Sequence, residues 1–178
     1  MNHKKSCDLR RAVGMAAMVL GFLGSGLAAE LKVGDPAPGI NLKTDEGKDF
    51  DLESRKGRWT VLYFYPKAET PGCTKQACAF RDGISEIRVL GAEVFGVSAD
   101  GVNALRKFKA NHNLNFTLLA DPGLDVIMKY GTKMLLLKMS KRRTFIIGPD
   151  LKIRVIDKHV DPVLDSKRVA EMLRKLQA

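Results

Sequence analysis

The run Trp59-Thr-Val-Leu-Tyr-Phe-Tyr65 is apolar at every second position on both sides of an extended chain. A strand of that kind must be covered above and below, which demands a layered fold rather than a sheet with one wet face. It stops at Pro66, which has no N–H to give and cannot continue a sheet interior. From about Thr74 to Leu90 the period changes: Ala77, Phe80, Ile84 and Ile87 recur at three- and four-residue steps between Arg81, Glu86 and Arg88, as on an amphipathic helix. The alternation continues with a strand at Glu93 to Ser98, a helix at Val102 to Ala110, a strand at Phe116 to Leu119 and a short helix at Leu124 to Tyr130. Strands at Thr144 to Ile147 and Lys152 to Ile156 precede a closing helix at Ser166 to Leu176. Upstream, Asn41 to Lys43 and Asp49 to Leu52 flank Asp45 to Lys48 as the arms of a hairpin. The expectation is an α/β fold whose central mixed, partly parallel sheet is flanked by helices. No repeat or long linker divides residues 30–178, which read as one domain with enough apolar sequence for one core.

The first 29 residues are different in kind. Lys4, Lys5, Arg10 and Arg11 lead into a Gly/Ala-rich apolar run from Ala12 to Leu27, followed by Ala28 and Ala29. That is the layout of a secretory signal peptide cut after Ala28 or Ala29, and the run is short for an uncleaved membrane anchor. The expected product is exported, in the periplasm, with no membrane contact beyond the signal segment. Taking away its four Lys/Arg and one Asp leaves 26 basic against 19 acidic residues. No Arg-rich helix, aromatic-basic repeat or zinc-finger spacing accompanies that charge, so it reads as a solvated basic surface and not as a nucleic-acid site. Cleavage also removes Cys7, leaving Cys73 and Cys78 in a compartment where disulfides persist.

Both lie in Thr70-Pro-Gly-Cys-Thr-Lys-Gln-Ala-Cys78, where a central strand ends and a helix begins. Free N–H groups and the positive end of the macrodipole at a helix start favour an anion, and the thiolate is the reactive form of cysteine. Thr70 offers a hydroxyl, Pro71 suits a first helical position, and Gly72 permits close approach to the backbone. If both cysteines are helical, five residues separate their Cα atoms by roughly 8 to 9 Å, beyond the reach of an unstrained disulfide. A static bridge is disfavoured, and a pair that bonds only when the helix start unwinds is favoured. That would suit a cysteine oxidised to sulfenic acid and then met by a neighbouring thiol. The spacing is not the Cys-x-x-Cys of a disulfide oxidoreductase.

Read as a unit with Pro66, Thr70 and Cys73, the string Tyr63-Phe-Tyr-Pro-Lys-Ala-Glu-Thr-Pro-Gly-Cys-Thr-Lys-Gln-Ala-Cys-Ala-Phe-Arg-Asp82 resembles the peroxiredoxins. The second cysteine five positions on is similar to the bacterioferritin comigratory protein, or peroxiredoxin Q, branch. The likeness extends through the stretches beginning at Val33, Phe95, Phe116 and Arg142. It implies a thioredoxin-like fold and a thiol peroxidase acting on hydrogen peroxide and organic hydroperoxides, with Cys73 peroxidatic and Cys78 resolving. It implies that Thr70 hydrogen-bonds the sulfur and a peroxide oxygen, that Pro66 shields the site from water, and that an arginine three positions before Phe145 completes it. That arginine is Arg142, with Arg143 the neighbouring possibility; successive strand residues face opposite ways, so one of the two points at Cys73. A thioredoxin-type dithiol protein would be the reductant, no metal or organic cofactor is called for, and the protein is expected to be a monomer.

This chain departs from the family pattern in two places. Gly131 to Lys141 replaces a longer Gly- or Trp-containing stretch, and Leu151 stands where the late hairpin usually has glycine. Met134 to Leu137 read chiefly as core packing, with a wall of the substrate mouth or an interface as alternatives. Two rival functions use the same residues: a copper-binding protein employing Cys73, Cys78 and His112 or His159, and thiol–disulfide exchange on protein substrates.

Overall fold

The computed structural model describes residues 30–178. The amino-terminal hairpin is formed by β1 (Asn41–Thr44) and β2 (Asp49–Asp51), followed by a 3-10 turn at Leu52–Arg55 whose cap is the Asp51 carboxylate. The predicted alternation follows: β3 (Trp59–Phe64), α1 (Pro71–Val89), β4 (Ala92–Ser98), α2 (Val102–Asn111), β5 (Thr117–Ala120) and α3 (Asp125–Lys129). The chain closes with β6 (Arg143–Ile147), β7 (Ile153–Asp157) and α4 (Asp165–Gln177). All seven strands join one sheet in the order β2-β1-β5-β4-β3-β6-β7. The inner trio β5-β4-β3 is parallel, β1 and β6 flank it antiparallel, and the edge strands β2 and β7 pair antiparallel with β1 and β6, so the sheet is mixed as expected.

The strand that fixed the layering does so residue by residue. Val61 and Tyr63, with Tyr65 beyond them, enter one apolar cluster with Phe80 of α1, Phe108 of α2 and Leu173 of α4. Leu62 and Phe64 enter a second, on the opposite face, with Ile127 of α3, Tyr130 and Phe145. Each fully buried side chain of this size contributes roughly 1.5–3 kcal/mol from apolar burial. The polar residue of β3, Thr60, is buried at its start, where its hydroxyl accepts from Arg55 Nε.

β3 runs parallel to β4, so α1 must begin at the carboxyl edge of the sheet, where open α/β sheets hold their ligands. Two details differ from the sequence reading. α1 starts at Pro71, three residues early, because Pro71 and Gly72 carry no apolar period to announce it. The Met134 to Leu137 segment is not core: Leu135 and Leu136 are 88% and 91% exposed, on a loop closed by the bridge between Lys133 and Ser140. The loop runs from buried Thr132 to buried Ser140 and bonds across itself from the Met134 N–H to the Met139 carbonyl (3.0 Å), so its tip, with Leu135 and Leu136, stands out from the core. Leu151 takes the left-handed conformation (φ 59°) that a glycine would adopt freely, held by bonds from its N–H to Gly148 and to its carbonyl from Ala37.

The signal peptide expected in residues 1–29 lies outside the described residues. Among those described, no helix is long and apolar enough to cross a membrane.

Candidate active site

Thr70 is the N-cap of α1, in extended conformation, and Pro71, Gly72 and Cys73 are its first three residues. The first helical bond runs from the Thr74 N–H to the Thr70 carbonyl at 2.9 Å, so the N–H groups of Gly72 and Cys73 precede the ladder. The positive end of a 19-residue helix therefore surrounds the Cys73 sulfur, which is itself 1% exposed. The Thr70 hydroxyl donates to the Lys67 carbonyl at 2.9 Å rather than to the sulfur, so only its lone pairs are available to a third group. Pro66 sits half-buried where the chain leaves the sheet.

The loop that delivers Thr70 is pinned from two sides. The Ala68 N–H donates to Asp100 Oδ2 (2.8 Å), whose carboxylate is held by the Ser98 hydroxyl (2.8 Å). Glu69 lies in the left-handed region at φ 63°, a conformation that L side chains avoid unless their surroundings impose it. Here Asn111 Nδ2 and His112 Nε2 at the end of α2 each reach its carboxylate at 2.9 Å. Those hydrogen bonds hold the Glu69 carboxyl below its ordinary range.

Arg142 directly precedes β6 and Arg143 is its first residue, opposite Phe64. The alternation separates them. Arg142 Nη2 donates to Cys73 Sγ at 3.4 Å, while Arg143 lines a cleft on the other face with Tyr130 and Lys141. Gly72 makes the approach possible: a Cβ there would lie 3.3 Å from Arg142 Nη2. Arg142 Nη1 donates to Gln76 Oε1, Gln76 Nε2 donates to Asp165 Oδ2 at 2.6 Å, and the Thr144 hydroxyl donates to the same oxygen at 2.8 Å. Burial pushes the Asp165 carboxyl up to about 6, against the opposing effect of its bonds from Gln76 and Thr144. Gln76 and Asp165 were not singled out in the sequence. The available signal was a polar residue at position 76 on the buried stripe of α1 running through Cys73, Ala77 and Phe80.

Cys78 is half-buried, and both thiols are free. On one continuous helix a five-residue step turns about 140° and rises about 7.5 Å, so Cys78 points away from the stripe that carries Cys73. The copper reading fails on the same geometry. His112 is engaged by Glu69, and His159 lies in the exposed stretch after β7. Among the described residues no three His, Cys, Asp or Glu side chains are grouped to hold a metal ion.

With that site geometry in place, the chain as a whole can be set beside known proteins. Residues 33–156 match the model of the AhpC/TSA family. The chloroplastic peroxiredoxin Q of Suaeda salsa is 37% identical over 146 residues, 78% of this chain and 68% of that protein. The chloroplastic peroxiredoxin Q of Oryza sativa subsp. japonica is 36% identical over 153 residues, 85% and 70% of the two chains. Peroxidoxin BcpB from Mycobacterium tuberculosis superposes with a TM-score of 0.77 at 31% identity, covering 84% of this chain and all of the other. The bacterioferritin comigratory protein of Xanthomonas campestris, studied for its alkyl peroxide reduction activity, gives 0.74 at 26% identity, covering 78% and 92%. The chain therefore belongs to the AhpC/TSA family, among the thioredoxin-fold thiol peroxidases of the peroxiredoxin Q and bacterioferritin comigratory protein branch.

Proposed function

We propose that this protein reduces hydrogen peroxide and organic hydroperoxides through Cys73, with Cys78 as the resolving thiol and a thioredoxin-type dithiol protein as reductant. The observation that carries the reading is the Arg142 guanidinium 3.4 Å from a cysteine sulfur at a helix start. A fixed positive charge and unbonded N–H groups lie at the sulfur's end of the helix, and they need not reorganise as charge shifts during reaction. The Cys73 thiolate attacks one peroxide oxygen, the O–O bond breaks, and the departing oxygen takes a proton to leave as water or an alcohol. Arg142, the N–H groups of Gly72 and Cys73, and the lone pairs of Thr70 are the groups able to orient the two oxygens. Pro66 limits water at the mouth.

The sulfenic acid on Cys73 then meets the Cys78 thiol. An S–S bond forms, the S–OH bond breaks, and the hydroxyl leaves as water with the thiol proton. The first turn of α1 must unwind for this step, because the two side chains diverge on an intact helix. A dithiol donor restores both thiols and carries away the two electrons' worth of oxidation as its own disulfide. The Cys73→Ser variant is expected to consume no peroxide. Cys78→Ser should reduce one equivalent and then stall with a thioredoxin-type donor; full turnover with that donor would remove Cys78 from the resolving role.

Residues 1–29 act, in this reading, as a cleaved signal peptide that sends a monomeric domain of residues 30–178 to the periplasm. The reductant must then be a dithiol protein of that compartment. Intact mass of the exported product tests the point: a chain starting at Ala29 or Glu30 is expected, and a retained amino terminus would contradict it.

A further inference from the structure

We propose that Asp165 is a positioning residue of the peroxide site, aiming the Arg142 guanidinium at Cys73 through the side-chain amide of Gln76. The proposal rests on the peroxidase reading of Cys73 and Arg142. It starts from the asymmetry of an amide, which donates from one end and accepts at the other. Whatever binds the NH2 end of Gln76 decides where its carbonyl points. Asp165 Oδ2 takes Gln76 Nε2 at 2.6 Å, and the carbonyl is thereby turned to accept from Arg142 Nη1. With Nη1 engaged, the rigid guanidinium fork leaves Nη2 directed at the sulfur. Were the amide to turn over, its NH2 would face the guanidinium, donor against donor, and the fork would have to swing away.

Neither end of this chain of contacts is free to exchange with solvent. Gln76 is fully buried, Asp165 is 1% exposed, and the Thr144 hydroxyl fixes the carboxylate from β6 at 2.8 Å. The backbone is shaped for the same contact. Gly83 lies in the middle of α1, where glycine weakens a helix, and a Cβ there would come within 3.1 Å of Ser166 Oγ. Its absence lets the start of α4 close on α1 and brings Asp165 to Gln76 from 89 residues away in sequence.

The test uses the Cys78→Ser protein, so that Cys73 is the only thiol of residues 30–178, and reads two quantities. One is the second-order rate of peroxide reduction; the other, independent of peroxide, is the pH profile of Cys73 alkylation by iodoacetamide. Asp165→Leu is expected to slow peroxide reduction about ten- to hundredfold, as expected for a lost buried hydrogen bond, and to move the alkylation profile to higher pH. Asp165→Asn keeps an oxygen for Gln76 and should recover the rate to within about threefold of the parent, because the acceptor is retained. Gln76→Leu should resemble Asp165→Leu, and the double variant should be no worse than Gln76→Leu alone, since the two act in series.

An unmoved rate and profile in Asp165→Leu, or losses that multiply in the double variant, would overturn the proposal. Should Asp165→Leu fail to melt cooperatively, Asp165→Ala carries the same expectation and the same contrary outcome. If the parent itself reduces no peroxide, the peroxidase reading falls, and the alkylation profile alone still decides whether Asp165 is coupled to Cys73 through Arg142.

Discussion

Two adjacent arginines with the same charge have different surroundings, and the difference is a single step along a strand. Arg142 faces the Cys73 sulfur and Arg143 faces a cleft on the far side of the sheet. Arg142→Lys keeps the charge but loses the fork that binds sulfur and Gln76 together, so peroxide reduction should fall by about 10²-fold; Arg143→Ala should change it by less than about twofold. Steady-state kcat/KM for both variants checks this. Gly72→Ala is expected to act like a weak Arg142 variant, because its methyl group would press on Nη2 at 3.3 Å. A tenfold slower reaction with an unchanged melting temperature is the expected outcome, on the scale of one weakened charged hydrogen bond of about 1.4 kcal/mol. Asp165 makes a pH-dependent contribution to stability. Its folded carboxyl is raised from 3.8 to about 6, so the folded state binds the proton more tightly than the unfolded chain does. The resulting stabilisation is complete below about pH 4 and is lost as pH rises through about 6. Asp165→Asn removes this loss. Relative to the parent its stability should improve between pH 4 and pH 8 by up to about 3 kcal/mol, read from urea unfolding at each pH.

At the scale of elements, the turn that carries Cys73 is held by parts that sequence does not place together. Pro66, Thr70 and Cys73 sit within eight positions of one another, and the strand end and helix start that bring them together are local, so they could be read directly. The clamp on Glu69 could not be read: its left-handed backbone and its partners Asn111 and His112, more than forty positions on, exist only once α2 has packed. Arg142 was reached through the family resemblance and Gln76–Asp165 not at all, because each depends on which helix packs over which strand. The leucines at 135–137 misled for the opposite reason, since apolar character says nothing about whether space remains beneath a loop. The clamp has a kinetic consequence. The proposed disulfide step, by unwinding the first turn of α1, would release the Thr70 loop, and the half-exposed Glu69–His112 pair resists that by no more than about 1 kcal/mol. His112→Ala should therefore speed conversion of sulfenic acid to disulfide by up to about fivefold without altering the first chemical step. Rapid quenching followed by mass spectrometry separates the two steps, and a slower second step would count against the clamp.

For the whole molecule, the apolar strand Trp59 to Tyr65 and the change of period after Pro66 were enough to predict a mixed sheet covered on both faces. The seven-stranded sheet carries Cys73 at its carboxyl edge, with α1, α2 and α4 on one face and α3 on the other. The sequence pattern left open the sheet order and the side chains that converge from α4 and β6, since both are settled by long-range packing. The proposed function rests on one event, the transfer of a peroxide oxygen to Cys73. The most direct test is intact mass of the reduced protein after one equivalent of hydrogen peroxide, with Cys78→Ser alongside. A loss of two hydrogens in the parent and a trappable added oxygen on Cys73 in the variant are predicted; an unmodified Cys73 in both would contradict the account.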